Sequence, residues 1–244
     1  EILDARSGEP PTLQREGFEL ERLPSSVRSW DAPKAFSDAH GDEVAEWATR
    51  QTGCGAVLFY PPVLRNPSTA AEQPDFAPIE AAHSDYTEAY ADMIRDRDHP
   101  YHQVLAPSMR RAGVTDDDVA RCHRVLTLQL WRNIGPELMD HPLAVCDGRT
   151  LPRSQLAPVR IETYGGLETN FDAFVVLPSN AEAENRWYTF PEMNRDEVLV
   201  FRAFDSELTS AEQPFWTPHT AFRDPHSIGS ARHSVEMRAI CLFW

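Results

Sequence analysis

The 244-residue sequence predicts a mainly β fold with flanking helices. Short runs rich in valine, leucine and aromatic residues fill the second half of the chain, and turn residues separate them. Helix-like segments are confined to the first half, and twenty prolines divide the chain into short pieces. Many short strands at this spacing favour a sandwich, a jelly roll or a barrel over a parallel sheet. We therefore expect a single domain over residues 1–244, with a helical insertion around residues 84–124.

The first half of the chain mixes short strands with helices. Residues 5–20 predict a turn and a short strand, residues 42–53 a helix that ends at Gly53, and residues 55–65 a buried strand that prolines interrupt. Residues 84–106 and 108–124 predict helices, and the run TDDD that begins at Thr115 is a good N-terminal cap.

The second half predicts strands throughout. The strand-like runs cover residues 125–135, 141–148, 159–165, 172–179, 186–191, 196–206, 215–222 and 233–244. The sequence contains neither a GxGxxG nor a P-loop pattern, so nucleotide-dependent chemistry has no support.

Charge and composition limit the kinds of partner. The formal net charge is −15, and Lys34 is the single lysine among 23 basic residues, which argues against nucleic acid and anionic membranes as partners. The sequence has no apolar stretch long enough to span a bilayer, and the four cysteines are scattered without a CxxC pair. We expect buried, reduced thiols in a cytoplasmic protein that acts on a small molecule.

The stretch AAHSDYT contains a candidate metal-binding pair. His83 and Asp85 form an H-x-D pattern, and side chains at positions i and i+2 of an extended backbone point to the same side. A neutral imidazole and a carboxylate placed in this way can hold one edge of a divalent metal ion. A later histidine, for which His219 is the candidate, would complete a facial triad of two histidines and one carboxylate that leaves coordination positions open.

A second H-x-D pair, His40 and Asp42, has a simpler explanation. Asp42 lies where the helix over residues 42–53 is expected to begin, so we interpret it as a cap or a first-turn charge.

The last predicted strand carries a candidate anion clamp. Arg232 and Ser234 follow His219 and would lie on one face of the strand together with Glu236 and Arg238. An arginine grips a carboxylate through two parallel hydrogen bonds, and a serine two residues further on adds another donor. We favour Arg232 over Arg223 as the clamp, because Arg223 lies in a segment that reads as a loop.

Several blocks of the chain, in order and at suitable distances, resemble a known family. AAHSDYT, LWRNIG, RWYTFPEMNRDEVLVFRAFDS and ARHSVEMRAICLFW are similar to the non-haem iron hydroxylase/desaturase family of secondary-metabolite gene clusters. The resemblance covers nearly the whole chain and implies a double-stranded β-helix, which is a cupin-like jelly roll. It also implies Fe(II), O2 and 2-oxoglutarate as cofactor and cosubstrates, His83, Asp85 and His219 as metal ligands, and Arg232 and Ser234 as the 2-oxoglutarate site.

The resemblance implies an oxygenase that abstracts hydrogen from an amino acid or a secondary-metabolite intermediate. The outcome would be hydroxylation, desaturation or ring closure such as C–N cyclisation. Two alternatives stay open: a zinc-dependent hydrolase on the same triad, and a non-catalytic β-barrel that binds a ligand. Arginines beside aromatic residues are candidates for contacting substrate, and these are Arg132, after Trp131, and Arg186, before Trp187. Trp131 and Tyr188 are candidates for lining an apolar substrate pocket, although aromatic residues in strands more often belong to the core.

Overall fold

The computed structural model describes residues 1–178, 185–225, 227 and 230–244. Its described residues form thirteen strands, labelled in chain order. They are β1 (Ile2–Asp4), β2 (Phe18–Arg22), β3 (Ala56–Phe59), β4 (Val63–Arg65), β5 (His83–Ser84), β6 (Arg124–Asn133), β7 (Leu143–Cys146), β8 (Leu156–Tyr164), β9 (Leu167–Val176), β10 (Trp187–Thr189), β11 (Glu197–Asp205), β12 (His219–Ala221) and β13 (Ser234–Phe243).

The strands build two sheets. One has seven strands in the order β1-β10-β7-β12-β5-β9-β8, and the other has six, with β2-β11-β6-β13-β3 in sequence and β4 paired to β13. All neighbouring strands pair antiparallel except β1 with β10. This mainly β architecture confirms the predicted fold class, and each predicted strand of the second half is present.

The centre of the six-stranded sheet is covered on both faces. Because side chains alternate along a strand, Met237, Ala239 and Cys241 of β13 point to one face and Glu236 and Arg238 to the other. The first set packs in an apolar cluster with the outer helix. The second set lines a pocket between the sheets. β13 pairs with β6 along ten residues, so this central ladder is a rigid platform for whatever the inner face carries.

Seven helices occur within the described residues. They are α1 (Pro33–Thr52), α2 (Pro67–Glu72), α3 (Tyr90–Arg95), α4 (Pro100–Gln103), α5 (Ala106–Ala112), α6 (Asp116–Arg121) and α7 (Ser206–Ser210). Short 3-10 turns lie at Pro74–Phe76, Gly148–Thr150 and Arg153–Gln155.

Helix α1 is longer than the sequence pattern predicts. It begins at Pro33, whose fixed φ suits the first helical position, and it ends before Gly53, which adopts the left-handed conformation at φ 71°. The interpretation of Asp42 as a cap is therefore wrong, because Asp42 lies in the middle of the helix. His40, two residues before Asp42, is buried, and its Nδ1 lies 3.4 Å from Oε2 of Glu43.

The segment between β5 and β6 holds four short helices, α3 to α6, where two longer ones were expected. Residues 84–106 do not form one helix, because the chain leaves β5 at Ser84 and Pro100 starts a separate turn at α4. The predicted cap at Thr115 is confirmed, since its side chain accepts from the Asp118 backbone N–H within a capping box.

The four cysteines are buried and free, as the sequence predicts. Within the described part of the chain, no helix combines the length and the apolar character that crossing a membrane requires.

Candidate metal centre and its pocket

Strand pairing brings the two candidate histidines side by side. The two-residue strand β5 lies between β12 and β9, and His83 is directly opposite His219 in the antiparallel register. Their ring centroids are 4.3 Å apart. Directly opposed residues on antiparallel strands are close neighbours, so two residues that are distant in sequence reach one point.

Asp85 completes the group just beyond β5. Its Oδ1 lies 3.8 Å from Nε2 of His83 and 3.8 Å from Nε2 of His219. The ligand atoms of the three residues all lie within 4.8 Å of one another. The structure thus brings together the three residues that the sequence singled out as a triad.

The opposite side of each imidazole is held by the backbone. Nδ1 of His83 lies 2.8 Å from the carbonyl oxygen of Ala81, and Nδ1 of His219 lies 3.1 Å from that of Thr217. A carbonyl oxygen only accepts, so each Nδ1 carries the hydrogen and donates it. In the neutral imidazole, Nε2 then has a free lone pair on the side of Asp85, which is the arrangement of histidines that bind metals.

Burial and local charges keep Asp85 and His219 in the protonation states that metal binding requires. Burial alone would raise the pKa of Asp85, but Arg238 and the two imidazoles hold it well below its usual range. Burial, with His83 nearby, lowers the pKa of His219 to about 4. At neutral pH the site therefore offers one carboxylate and a neutral His219 imidazole. Two imidazole nitrogens and one carboxylate oxygen on one side of an open space are a donor set that suits Fe(II).

A row of polar side chains, the β13 row, lies behind the triad: Ser234, Glu236 and Arg238 are on the inner face of β13, and Arg232 lies two residues before the strand begins. Arg232 donates from Nε to the hydroxyl of Ser234 at 2.8 Å and from Nη2 to Oε1 of Glu236 at 3.1 Å. Its guanidinium carbon lies 5.1 Å from the ring centroid of Trp131, and only 2% of its side chain is exposed. Burial lowers the pKa of Arg232 to about 10, so the group stays charged at neutral pH.

A second buried arginine, which the sequence reasoning missed, faces Arg232 across Glu236. Arg65 donates from Nε to Oε1 of Glu236 at 2.6 Å and from Nη2 to the hydroxyl of Tyr164 at 2.7 Å. Burial alone would raise the pKa of Glu236, but Arg65 and Arg232 keep it lowered. The available signal was an arginine that ends an apolar strand-like run, because a charge within a buried strand needs a partner.

The triad, Arg65, and Arg232, Glu236 and Arg238 of the β13 row line one pocket. Its remaining walls are mainly aliphatic and aromatic, and they comprise Ile79, Tyr86, Tyr101, Leu143, Ile161, Tyr164, Thr169, Phe171, Ala173 and Ala221. The hydroxyl groups of Tyr86 and Tyr101 are hydrogen-bonded to each other at 2.9 Å. The pocket therefore has a charged floor and largely apolar sides.

The four residues expected to contact substrate lie elsewhere. Arg132 is on the opposite face of β6 from Trp131, where it donates to the backbone oxygens of Leu23 and Arg195. Trp131 lies behind Arg232 in a core cluster. None of the four is among the residues that line the triad pocket.

The other two members of that group have surface or core partners. Arg186 pairs with Asp147 at 3.0 Å and is half exposed. Tyr188 packs against Phe18, with ring centroids 5.7 Å apart. Arg223, the alternative clamp, is 77% exposed and pairs with Glu80.

Comparison with known proteins places the chain in a family. A family model described as an oxidoreductase/YMDC permease-like domain matches residues 1–242. The chain belongs to this family. One relative, the hydroxylase/desaturase efuI of Hormonema carpetanum, is 26% identical over 265 residues, which cover 100% of this chain and 82% of the relative. The Fe(II)/2-oxoglutarate-dependent dioxygenase nvfI of Aspergillus novofumigatus is 27% identical over 202 residues, which cover 81% of this chain and 64% of the relative.

Solved structures agree with the fold. A structure of the iron and alpha-ketoglutarate-dependent endoperoxidase NvfI matches with a TM-score of 0.77 and 24% identity, covering 100% of this chain and 82% of that chain. Another structure of NvfI matches with a TM-score of 0.73 and 23% identity, covering 99% and 84%. The comparisons confirm the predicted double-stranded β-helix, the hydroxylase/desaturase family and the oxidoreductase class.

Proposed function

We propose that the protein is an Fe(II)- and 2-oxoglutarate-dependent oxygenase that acts on a small organic molecule. One observation carries this proposal: the ligand atoms of His83, Asp85 and His219 converge in a pocket that also contains the buried guanidinium of Arg232. The names of the relatives favour this enzyme over a zinc hydrolase or a ligand-binding barrel.

The triad would hold iron through Nε2 of His83, Nε2 of His219 and a carboxylate oxygen of Asp85. Bound iron supplies the activation of O2 that leads to hydrogen abstraction. The protein keeps both imidazoles in one tautomer through the carbonyls of Ala81 and Thr217, so no ring has to reorient when the ion binds.

Arg232 and Ser234 would bind the carboxylate of 2-oxoglutarate that lies far from the metal. Arg65 and Arg232 contribute two positive charges at the end of the pocket, and Glu236 contributes one negative charge. The cluster therefore keeps one net positive charge, which a single carboxylate neutralises. Pairing this buried positive charge with a carboxylate is favourable, whereas a ligand with an uncharged group at this point would leave the charge without a partner.

The apolar walls would receive the substrate and exclude water. Within the described lining, Asp85 is bonded to Arg238 and Glu236 to two arginines, so neither carboxylate is available for the ammonium group of an amino acid. A secondary-metabolite intermediate with an extended apolar surface suits the pocket better than a free amino acid. Hydroxylation, desaturation and ring closure all begin with the same hydrogen abstraction, and the position of the substrate decides among them.

Succinate formation tests the proposal. The protein with Fe(II), ascorbate and 2-oxoglutarate is expected to consume O2 and release succinate, faster when the true substrate is present. His219→Ala should abolish both, whereas His123→Ala, at an exposed position outside the pocket, should retain them. Tight zinc binding without iron-dependent succinate from any of a panel of small molecules would contradict the oxygenase and favour the hydrolase.

A further inference from the structure

The carboxylate of Asp85 uses its two oxygens differently. Oδ1 is equidistant from the two histidine Nε2 atoms, at 3.8 Å from each. Oδ2 accepts a hydrogen bond from Nε of Arg238 at 3.0 Å. Both side chains are largely buried, with 8% of Asp85 and 14% of Arg238 exposed.

The position of Arg238 follows from the central ladder of the sheet. Arg238 lies opposite Gln129 on β6, two residues beyond Glu236 on the inner face of β13. It is thereby fixed at the floor of the pocket beside Asp85 rather than on a flexible loop. Within the described residues, the Nε bond to Asp85 is the hydrogen bond that its guanidinium makes.

We propose that Arg238 is a positioning residue that occupies Oδ2 of Asp85 and so presents only Oδ1 to the metal. This role depends on the proposed metal site. A carboxylate free to rotate could bind an ion through both oxygens and take a coordination position that the cosubstrate or O2 needs. By holding Oδ2, Arg238 keeps the protein's contribution to three donor atoms. The hydrogen bond from Nε fixes the orientation of the Asp85 carboxylate, whereas a positive charge alone would attract both oxygens equally.

Two substitutions by uncharged residues separate the effect of the hydrogen bond from the effect of the positive charge. In Arg238→Gln the amide nitrogen stands where Nε stood, so the donor remains and the charge is lost. In Arg238→Met a methyl group stands at the same place, so both are lost. The two variants have side chains of the same length, and any difference between them reports the hydrogen bond.

Binding of Co(II) in place of iron provides a readout that does not depend on turnover. The visible absorption of Co(II) changes with its coordination number and geometry. We expect Arg238→Gln to keep the spectrum of the parent protein, and Arg238→Met to change it and to bind Co(II) at least tenfold more weakly than Arg238→Gln, which is the lower end of the loss seen when partners of metal ligands are removed. If the methionine variant does not fold, Arg238→Leu replaces it with the same expected change, since leucine has neither a donor nor a charge.

Arg65→Gln is the matched control. It removes the same charge from the same pocket, but Arg65 is bonded to Glu236 rather than to Asp85, so the Co(II) spectrum should be unchanged. Equal spectra and affinities for Arg238→Gln and Arg238→Met would overturn the positioning role, as would a spectral change of the same size in Arg65→Gln. A parent protein that binds no Co(II) would instead refute the proposed metal site itself.

Discussion

Replacing Arg232 by methionine is expected to weaken 2-oxoglutarate binding strongly while the metal stays bound. The guanidinium lies at the end of the pocket away from the triad and donates to Ser234 and Glu236. Glu236 keeps Arg65 as a partner at 2.6 Å when Arg232 is removed, so the substitution leaves no buried carboxylate unpaired. The fold should therefore tolerate the change, and the loss should fall on the ligand.

The size of the effect follows from how much of the guanidinium is already engaged. Removing one partner of a fully buried charged pair costs about 3–5 kcal/mol, and a hydrogen bond to a charged group contributes about 1.5–3 kcal/mol. Because Glu236 and Ser234 use part of the bonding capacity of Arg232, we take the lower range of about 2–3 kcal/mol for the ligand. At 1.4 kcal/mol per factor of ten, the affinity should fall roughly 30- to 140-fold.

Calorimetric titration of 2-oxoglutarate into the Mn(II)-loaded protein without O2 measures this loss directly. Arg223→Met is the control, since it removes an exposed arginine that pairs with Glu80 and should change the affinity less than twofold. If Arg232→Met binds 2-oxoglutarate within twofold of the parent protein, the clamp is assigned to the wrong residue. If it loses Mn(II) as well, the separation between clamp and metal site is wrong.

Three further predictions concern stability. Mn(II) at a hundredfold excess over its Kd should stabilise the parent protein by about 2.7 kcal/mol, and His219→Ala should remove that gain in a thermal unfolding series. Burial, with Arg132 nearby, lowers the pKa of His40 to about 4. As the pH falls below about 6.5, His40 is protonated in the unfolded chain but stays neutral in the folded protein. The free energy of unfolding, measured with urea, should therefore fall by about 2 kcal/mol between pH 7 and pH 5, and His40→Leu should not show this fall. Gly148→Ala would place a Cβ 2.6 Å from the backbone oxygen of Trp216 and should lower the free energy of unfolding by about 1–3 kcal/mol. Gly41→Ala, inside α1 and with no packing neighbour of the new Cβ nearer than 3.9 Å, should raise it by about 1 kcal/mol in the same assay.

Part of the candidate site carries local signals in the sequence. An H-x-D pair on extended backbone and an R-x-S pattern on a closing strand are readable without any contact map. Arg65 and Tyr164 were not found, since nothing near them in sequence indicates that β4 and β8 end at the same pocket as β13. Arg132 was assigned to the substrate because it adjoins Trp131, but alternation along β6 sends the two side chains to opposite faces.

The amino-acid pattern by itself determined the strands of the second half, the cap at Thr115, the end of α1 at Gly53 and the candidate triad. These features depend on periodicity, turn residues and backbone preferences, which act over a few neighbouring positions. The start of α1 was missed although Pro33 is a local signal for a first helical position, because the first turns of the helix have no clear apolar period.

The tertiary structure decided which charged groups meet. The antiparallel register of β5 with β12 places His83 against His219, and the pairing of β13 with β6 fixes Glu236 and Arg238 at the pocket floor. These distances depend on how strands from distant parts of the chain align across two sheets. The alternation of apolar and polar residues along a strand indicates which of its faces is buried. Its partner strand and its register are fixed only when the whole sheet assembles.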